Sequence, residues 1–228
     1  MTDLPPADPH LAPRWGTAAL ITIDMQVDFL SESPYGLAGT TEILPNLRLL
    51  TEAFRAAGRP VVHVVRLYEP GGANADRVRR SLLSDGAQIA APGTPGSQLA
   101  PGLAPDPAAL LDPAALLAGR AQQLGPAEHV IFKPRWGAFY QTALDALLGD
   151  LGVDTLAFAG CNLPNCPRAS LIQASERDYR IVLATDAVSQ VSAQGLREVA
   201  GIGVQLMTTA QITAAIGPAA AQHLDASR

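Results

Sequence analysis

Residues 153–187 read VDTLAFAGCNLPNCPRASLIQASERDYRIVLATDA, and the reading of this stretch decides the fold. Its two ends, 153–160 and 180–187, are short runs rich in Leu, Val, Ala and Ile. Runs of that length and composition suit strands buried on both faces. Between them, 167–179 has helical spacing, with Pro167 at the first position, where no N–H is needed. Strand, helix and strand in succession make the repeating unit of a parallel sheet.

The same rhythm continues in both directions. TAALITID (17–24) is a buried strand ending in Asp24, and 42–60 has the spacing of a helix stopped by Gly58 and Pro60. VVHVVRL (61–67) and EHVIFK (128–133) read as strands, the latter ending at Lys133. A helix is expected over 138–152, and a last helix and strand over 193–209. The pattern predicts a doubly wound, Rossmann-like α/β fold. It has a mostly parallel six-stranded sheet with helices on both faces, in three α/β/α layers. One domain is expected over 14–216, between a Pro-rich mobile arm at 1–13 and a tail at 217–228. Residues 68–127 break the rhythm: after a short helix near 75–84 they turn rich in Gly, Pro and Ala. They are read as an excursion within the domain, over the site or at a subunit contact.

Composition narrows the function. The chain has 228 residues, enough for a full core, with 48% hydrophobic and 16% charged residues and a net charge of −5. No basic run offers a footprint for nucleic acid, and no apolar run reaches the roughly 20 residues of a membrane helix. The N-terminal stretch has no apolar core of a signal peptide, and two cysteines are too few for a secreted disulfide scaffold. A reduced, cytoplasmic protein is expected.

Three reactive side chains fall at or just past strand ends: Asp24, Lys133 and Cys166. Ligands of open α/β sheets bind outside the carboxyl ends of the strands, so an acid, an ammonium and a thiol can meet in one crevice. A helix start and a nearby ammonium favour a thiolate at Cys166, and Asp24 can accept the proton. Each has a plainer reading taken alone: a strand-end acid as a cap, a lysine at the surface, a cysteine as a small buried hydrophobe. The pair Cys161 and Cys166 also admits a metal site or a disulfide. Its spacing is C-x-x-x-x-C, and His10, His63, His129 and His223 are scattered, which disfavours zinc; a reducing compartment disfavours the disulfide.

The motifs ALITIDMQVDF (19–29), KPRWGAF (133–139) and GCNLPNC (160–166) resemble, in order and spacing, those of the isochorismatase-like cysteine hydrolases. The resemblance spans about 14–210. It implies a catalytic triad of Asp24, Lys133 and Cys166 that cleaves amides and related C–N bonds, ureido and carbamoyl compounds included, through a thioester. It also implies a cis Cys161–Asn162 bond that turns the Asn162 N–H toward the Cys166 N–H as an oxyanion hole. Phe29 and Trp136 match pocket-lining positions, and Arg66 and Tyr68, at the end of the second strand, are candidates to reach the substrate. The sequence departs from the family pattern in places. Leu163 stands where Thr is frequent, Gly137 where Ser is common, and prolines 164 and 167 bracket the nucleophile. RLYEPGGANAD lacks the Asp-x-His metal pattern of the family's nicotinamidases, so no metal and no cofactor are expected. A small-molecule substrate and a homodimer or homotetramer are expected. The alternatives are a catalytically silent binding protein and a thiol redox protein using both cysteines.

Overall fold

The computed structural model describes residues 8–217, so most of the expected arm and nearly all of the expected tail lie outside the described residues. Seven strands form one sheet: β1 Ala18–Ile23, β2 Val61–Val65, β3 Gln122–Gly125, β4 Glu128–Phe132, β5 Thr155–Gly160, β6 Arg180–Val188 and β7 Gln205–Met207. The helices are α1 Leu44–Ala56, α2 Arg77–Ser84, α3 Pro113–Leu117, α4 Leu144–Asp150, α5 Cys166–Ser175, α6 Ala193–Ala200 and α7 Thr209–Ile216. The strand order is β3-β4-β2-β1-β5-β6-β7, parallel throughout except for β3.

β1, β2 and β5 are buried along their whole length, as their predominantly apolar runs predict. Alternate residues feed two cores. Leu20, Ala157 and Val182 face α1 and α7, meeting Leu47, Leu50, Phe54 and Ile212. Ile21, Phe158 and Leu183 face α4, α5 and α6, meeting Leu148, Leu171 and Val199. Fully burying a side chain such as Phe54 or Phe158 stabilises the fold by about 1.5–3 kcal/mol. A third, smaller core of Val65, Leu67, Leu111, Leu116 and Val130 lies under the excursion.

The expectation of six strands is corrected to seven. β3 comes from inside the excursion, where QQLG is too polar and short to announce a strand; the turn at residues 126–127 folds it antiparallel onto β4. The helix expected from 138 begins only at Leu144. Side chains of α5 capture the backbone before it: the Ala138 N–H donates to Ser170 Oγ (3.0 Å) and the Phe139 N–H to Gln173 Oε1 (3.0 Å). The strand expected through Thr209 stops at Met207, because Thr208 and Gln211 form a capping box that starts α7.

From β1 the chain winds to β2 and β4 on one side, then crosses to β5 on the other. The order therefore reverses between β1 and β5, and a crevice opens past their carboxyl ends. Gly160 lets them close up there. Its φ is +121°, and a Cβ at this position would lie 2.2 Å from the Ile23 carbonyl oxygen.

Candidate active site

Four adjacent strands, β4, β2, β1 and β5, deliver Lys133, Arg66, Asp24 and the 161–166 loop to that crevice. Asp24 turns the chain through left-handed backbone at φ +54°, which Asp tolerates better than most residues. Two contacts pin it: its N–H donates to Val64 O (2.9 Å), and the Cys161 thiol donates to its carbonyl (3.3 Å). Cys161 is thus a buried anchor, and burial, reinforced by the Asp24 charge, pushes its pKa far up.

The Lys133 side chain is fully buried and donates to Asp24 Oδ2 at 2.9 Å. It is the only lysine in the chain, the other fifteen basic residues being arginine. The second carboxylate oxygen, Oδ1, is buried and forms no geometrically complete hydrogen bond among the described residues. The carboxylate nevertheless acts on the nearby Cys166 thiol, which lines the same cavity as the first residue of α5.

The thiolate expected at Cys166 is corrected. Burial, and then the negative charge and hydrogen bonding of Asp24, push its pKa up to about 11, outweighing the Lys133 and Arg66 cations. At neutral pH the sulfur rests as a thiol. Both cysteines are free, so no disulfide joins them. Among the described residues no group of three or more His, Cys, Asp or Glu side chains is arranged to hold a metal ion.

The peptide bond Cys161–Asn162 is cis. The Asn162 side chain is held by Gln190 Oε1 (2.6 Å), and its own Oδ1 accepts from Asn165 Nδ2 (3.2 Å). Among the described residues neither the Asn162 nor the Cys166 N–H has a hydrogen-bond partner.

The crevice holds a cavity of about 300 Å³. Of the residues singled out in the sequence, Asp24, Phe29, Arg66, Tyr68, Trp136, Asn162 and Cys166 line it, while Lys133 lies beneath Asp24. Burial pushes the Tyr68 hydroxyl up to about 12, so it stays protonated. Sequence reasoning missed Val78, Arg79 and Leu82, which reach the cavity from α2. The run DRVRR at 76–80 was their only trace, and which of its faces meets the site depends on how the excursion folds. At Gly137, a Cβ would lie 2.2 Å from Gln173 Oε1. Gln173 thus occupies the space that a serine there would need.

The fold and site define a doubly wound α/β protein with a thiol, a carboxylate and an ammonium gathered at the sheet's switch point. The chain belongs to the isochorismatase domain family, which matches residues 18–211. A protein of Arabidopsis thaliana described as a probable inactive nicotinamidase is 29% identical over 205 residues, covering 87% of this chain and 95% of that one. A ureidoacrylate amidohydrolase of Methylobacterium radiotolerans is 27% identical over 203 residues, covering 81% and 71%. An isochorismatase family protein from Desulfovibrio vulgaris has a solved structure that aligns with a TM-score of 0.74 at 30% identity, over 88% of this chain and 98% of that one.

Proposed function

We propose that this protein is a cysteine hydrolase cleaving a C–N bond of a small amide or ureido compound through a thioester on Cys166. One observation carries the reading: the Cys166 thiol shares a cavity with the Asp24 carboxylate, which interacts with it and is held on its other oxygen by Lys133. The similarity to a ureidoacrylate amidohydrolase supports the substrate class.

With a pKa of about 11, Cys166 needs a base at the moment of attack. Asp24 takes the thiol proton as sulfur bonds to the carbonyl carbon and the C=O pair moves onto oxygen. The N–H groups of Asn162 and Cys166 donate to that oxyanion. Collapse restores the C=O and expels the amine, which takes the proton from Asp24. Water then attacks the thioester, giving a proton to Asp24; the second tetrahedral adduct releases the acid, or a carbamate from a ureido substrate, and the proton returns to sulfur. Lys133 holds the carboxylate in place throughout. The mechanism needs a reduced thiol, and we place the protein in the cytoplasm. Among the described residues no helix is long and apolar enough to cross a membrane.

The test is acid quenching of turnover on a panel of small amides and ureido compounds, with peptide mass mapping. An acyl or carbamoyl mass on Cys166 is expected, with ammonia or amine released and both signals absent from Cys166→Ala. Undiminished release by that variant would sink the reading. A catalytically silent binding protein is the second reading, favoured by the 29% identity to a relative described as probably inactive. It expects saturable binding with no adduct from any compound.

A further inference from the structure

Asn162 lines the cavity beside the reacting sulfur, yet both ends of its side-chain amide are engaged away from it. Its Nδ2 donates to Gln190 Oε1 at 2.6 Å, and its Oδ1 accepts from Asn165 Nδ2 at 3.2 Å. Its carbonyl accepts from the Asn165 N–H at 3.0 Å. Of the polar groups of Asn162, only the N–H has no partner among the described residues. The amides run in one direction: Asn165 donates to Asn162, Asn162 to Gln190, and Gln190 Nε2 to the Ala38 carbonyl at 3.5 Å. Hydrogen bonds in such a series polarise one another. The far end of the series is itself anchored. The Ser189 N–H donates to Gly160 O at 3.0 Å, and the Ser189 carbonyl accepts from the Leu163 N–H at 2.9 Å, so the backbone is pinned on either side of residues 161–162. Gln190 then turns through left-handed backbone at φ +56°, which residues other than glycine adopt sparingly and which gathers at functional sites.

We propose that Gln190 is a positioning residue for the oxyanion hole: through the Asn162 side chain it holds the Asn162 N–H toward the place where negative charge develops. The proposal rests on the hydrolase reading. A residue clamped at its carbonyl and at both ends of its side chain keeps one orientation, so the direction of its N–H is set before attack. A donor set in advance costs no reorganisation when the oxyanion forms. Gln190 is not among the residues lining the cavity of Cys166; it lines a separate hollow with Leu163, Pro164 and Arg168. Its effect on the reaction therefore passes through Asn162. Water in place of Gln190 Oε1 would satisfy Asn162 Nδ2 without fixing it, so losing Gln190 is expected to cost rate rather than stability.

Two electrophiles test this in the full-length protein without a known substrate. 4-Nitrophenyl acetate acylates a thiol through a tetrahedral oxyanion and releases 4-nitrophenolate. Iodoacetamide alkylates a thiol by displacing iodide, and no oxyanion forms. Rates of both at Cys166, confirmed by peptide mass mapping, are compared as the ratio of acylation to alkylation, in which a change of thiol acidity cancels. Gln190→Met keeps the length and loses the acceptor. It is expected to lower the ratio about tenfold, less than the roughly 10²–10³ of losing an oxyanion donor outright. Its alkylation rate should stay within about twofold of the wild type, because no charge near the thiol has changed. Gln190→Glu keeps an acceptor for Asn162 Nδ2 and is expected to regain most of the ratio. On a compound from the amide panel, Gln190→Met should lower kcat about tenfold with little change in KM, because the oxyanion forms only after binding. An unchanged ratio in Gln190→Met, no recovery in Gln190→Glu, or acylation and alkylation falling together would each overturn the positioning role. So would a wild-type Cys166 that is alkylated but never acylated. A ratio that depends on Gln190, in a protein whose wild type hydrolyses no amide or ureido compound, would leave the positioning role standing and remove the hydrolase reading instead.

Discussion

A nucleophile with a pKa pushed up to about 11 appears mistuned until its neighbour is considered. The Asp24 carboxylate that raises the thiol's pKa is also the group placed to take its proton, so activation is coupled to attack. Asp24→Asn separates the two effects. Turnover is expected to fall by about 100-fold or more through loss of the base. The thiol should meanwhile become more acidic, because a negative charge beside it is gone and Lys133 remains. Iodoacetamide should therefore alkylate Cys166 faster in the variant than in the wild type at mildly alkaline pH. In the wild type the alkylation rate should climb about tenfold per pH unit toward the thiol's pKa. Slower alkylation of the variant would mean that Asp24 activates the thiol at rest. Local sequence pointed to a thiolate because the helix start and Lys133 are visible there, while burial is not. The opposite holds for Lys133: a single lysine among sixteen basic residues is a signal readable from composition alone. Its compact ammonium is fully buried beneath Asp24, to which it donates at 2.9 Å.

Below the site, a buried polar chain ties four elements together. Thr22 Oγ1 of β1 meets His63 Nδ1 of β2 at 2.7 Å, His63 Nε2 meets Glu128 Oε1 of β4 at 2.8 Å, and Arg55 of α1 donates to both Glu128 oxygens at 2.7 Å. Burial pushes the Glu128 pKa up, but the hydrogen bonds from Arg55 and His63 outweigh it, and the pKa lies below the ordinary 4.5. A lowered pKa gives stability that is present above the unfolded value and is lost as pH falls through the folded one. Glu128→Gln leaves Arg55 without its carboxylate partner, which should cost up to about 3 kcal/mol at neutral pH; having no group with a lowered pKa at this position, it should also lose stability less steeply than the wild type below pH 4.5. Urea unfolding across that acid range checks it; parallel curves would exclude Glu128 as the linked group. The elements this chain joins were legible in sequence because β1 and β2 are short apolar runs broken only by Thr22 and His63, and α1 repeats at helical spacing. β3 and α7 were not. QQLG owes its strand to pairing with β4, and α7 is short and rich in Ala and Thr. The site was legible where its residues sit at strand ends, as Asp24 and Lys133 do. It was illegible at Arg79, whose position depends on a non-repeating excursion.

At the scale of the whole molecule, large apolar side chains stand exposed at the mouth of the cavity. Val78 is 73% exposed, Trp136 42% and Leu82 38%, and all three line the cavity. Leu110, on the same excursion, is 70% exposed. Exposed apolar side chains mark a contact where they gather into one large patch. A stable interface buries on the order of 1,000 Å² or more in total, which a second copy of the chain is able to supply symmetrically. We propose a homodimer or homotetramer in which the excursion packs near an interface and covers part of the cavity mouth. Sedimentation velocity at micromolar concentration is expected to show a species of at least two chains. Val78→Glu places a charge in the apolar mouth and should shift the protein toward monomer by about tenfold or more in dissociation constant. A monomeric wild type would refute the assembly, and a Val78→Glu protein that associates as tightly as the wild type would place the interface elsewhere.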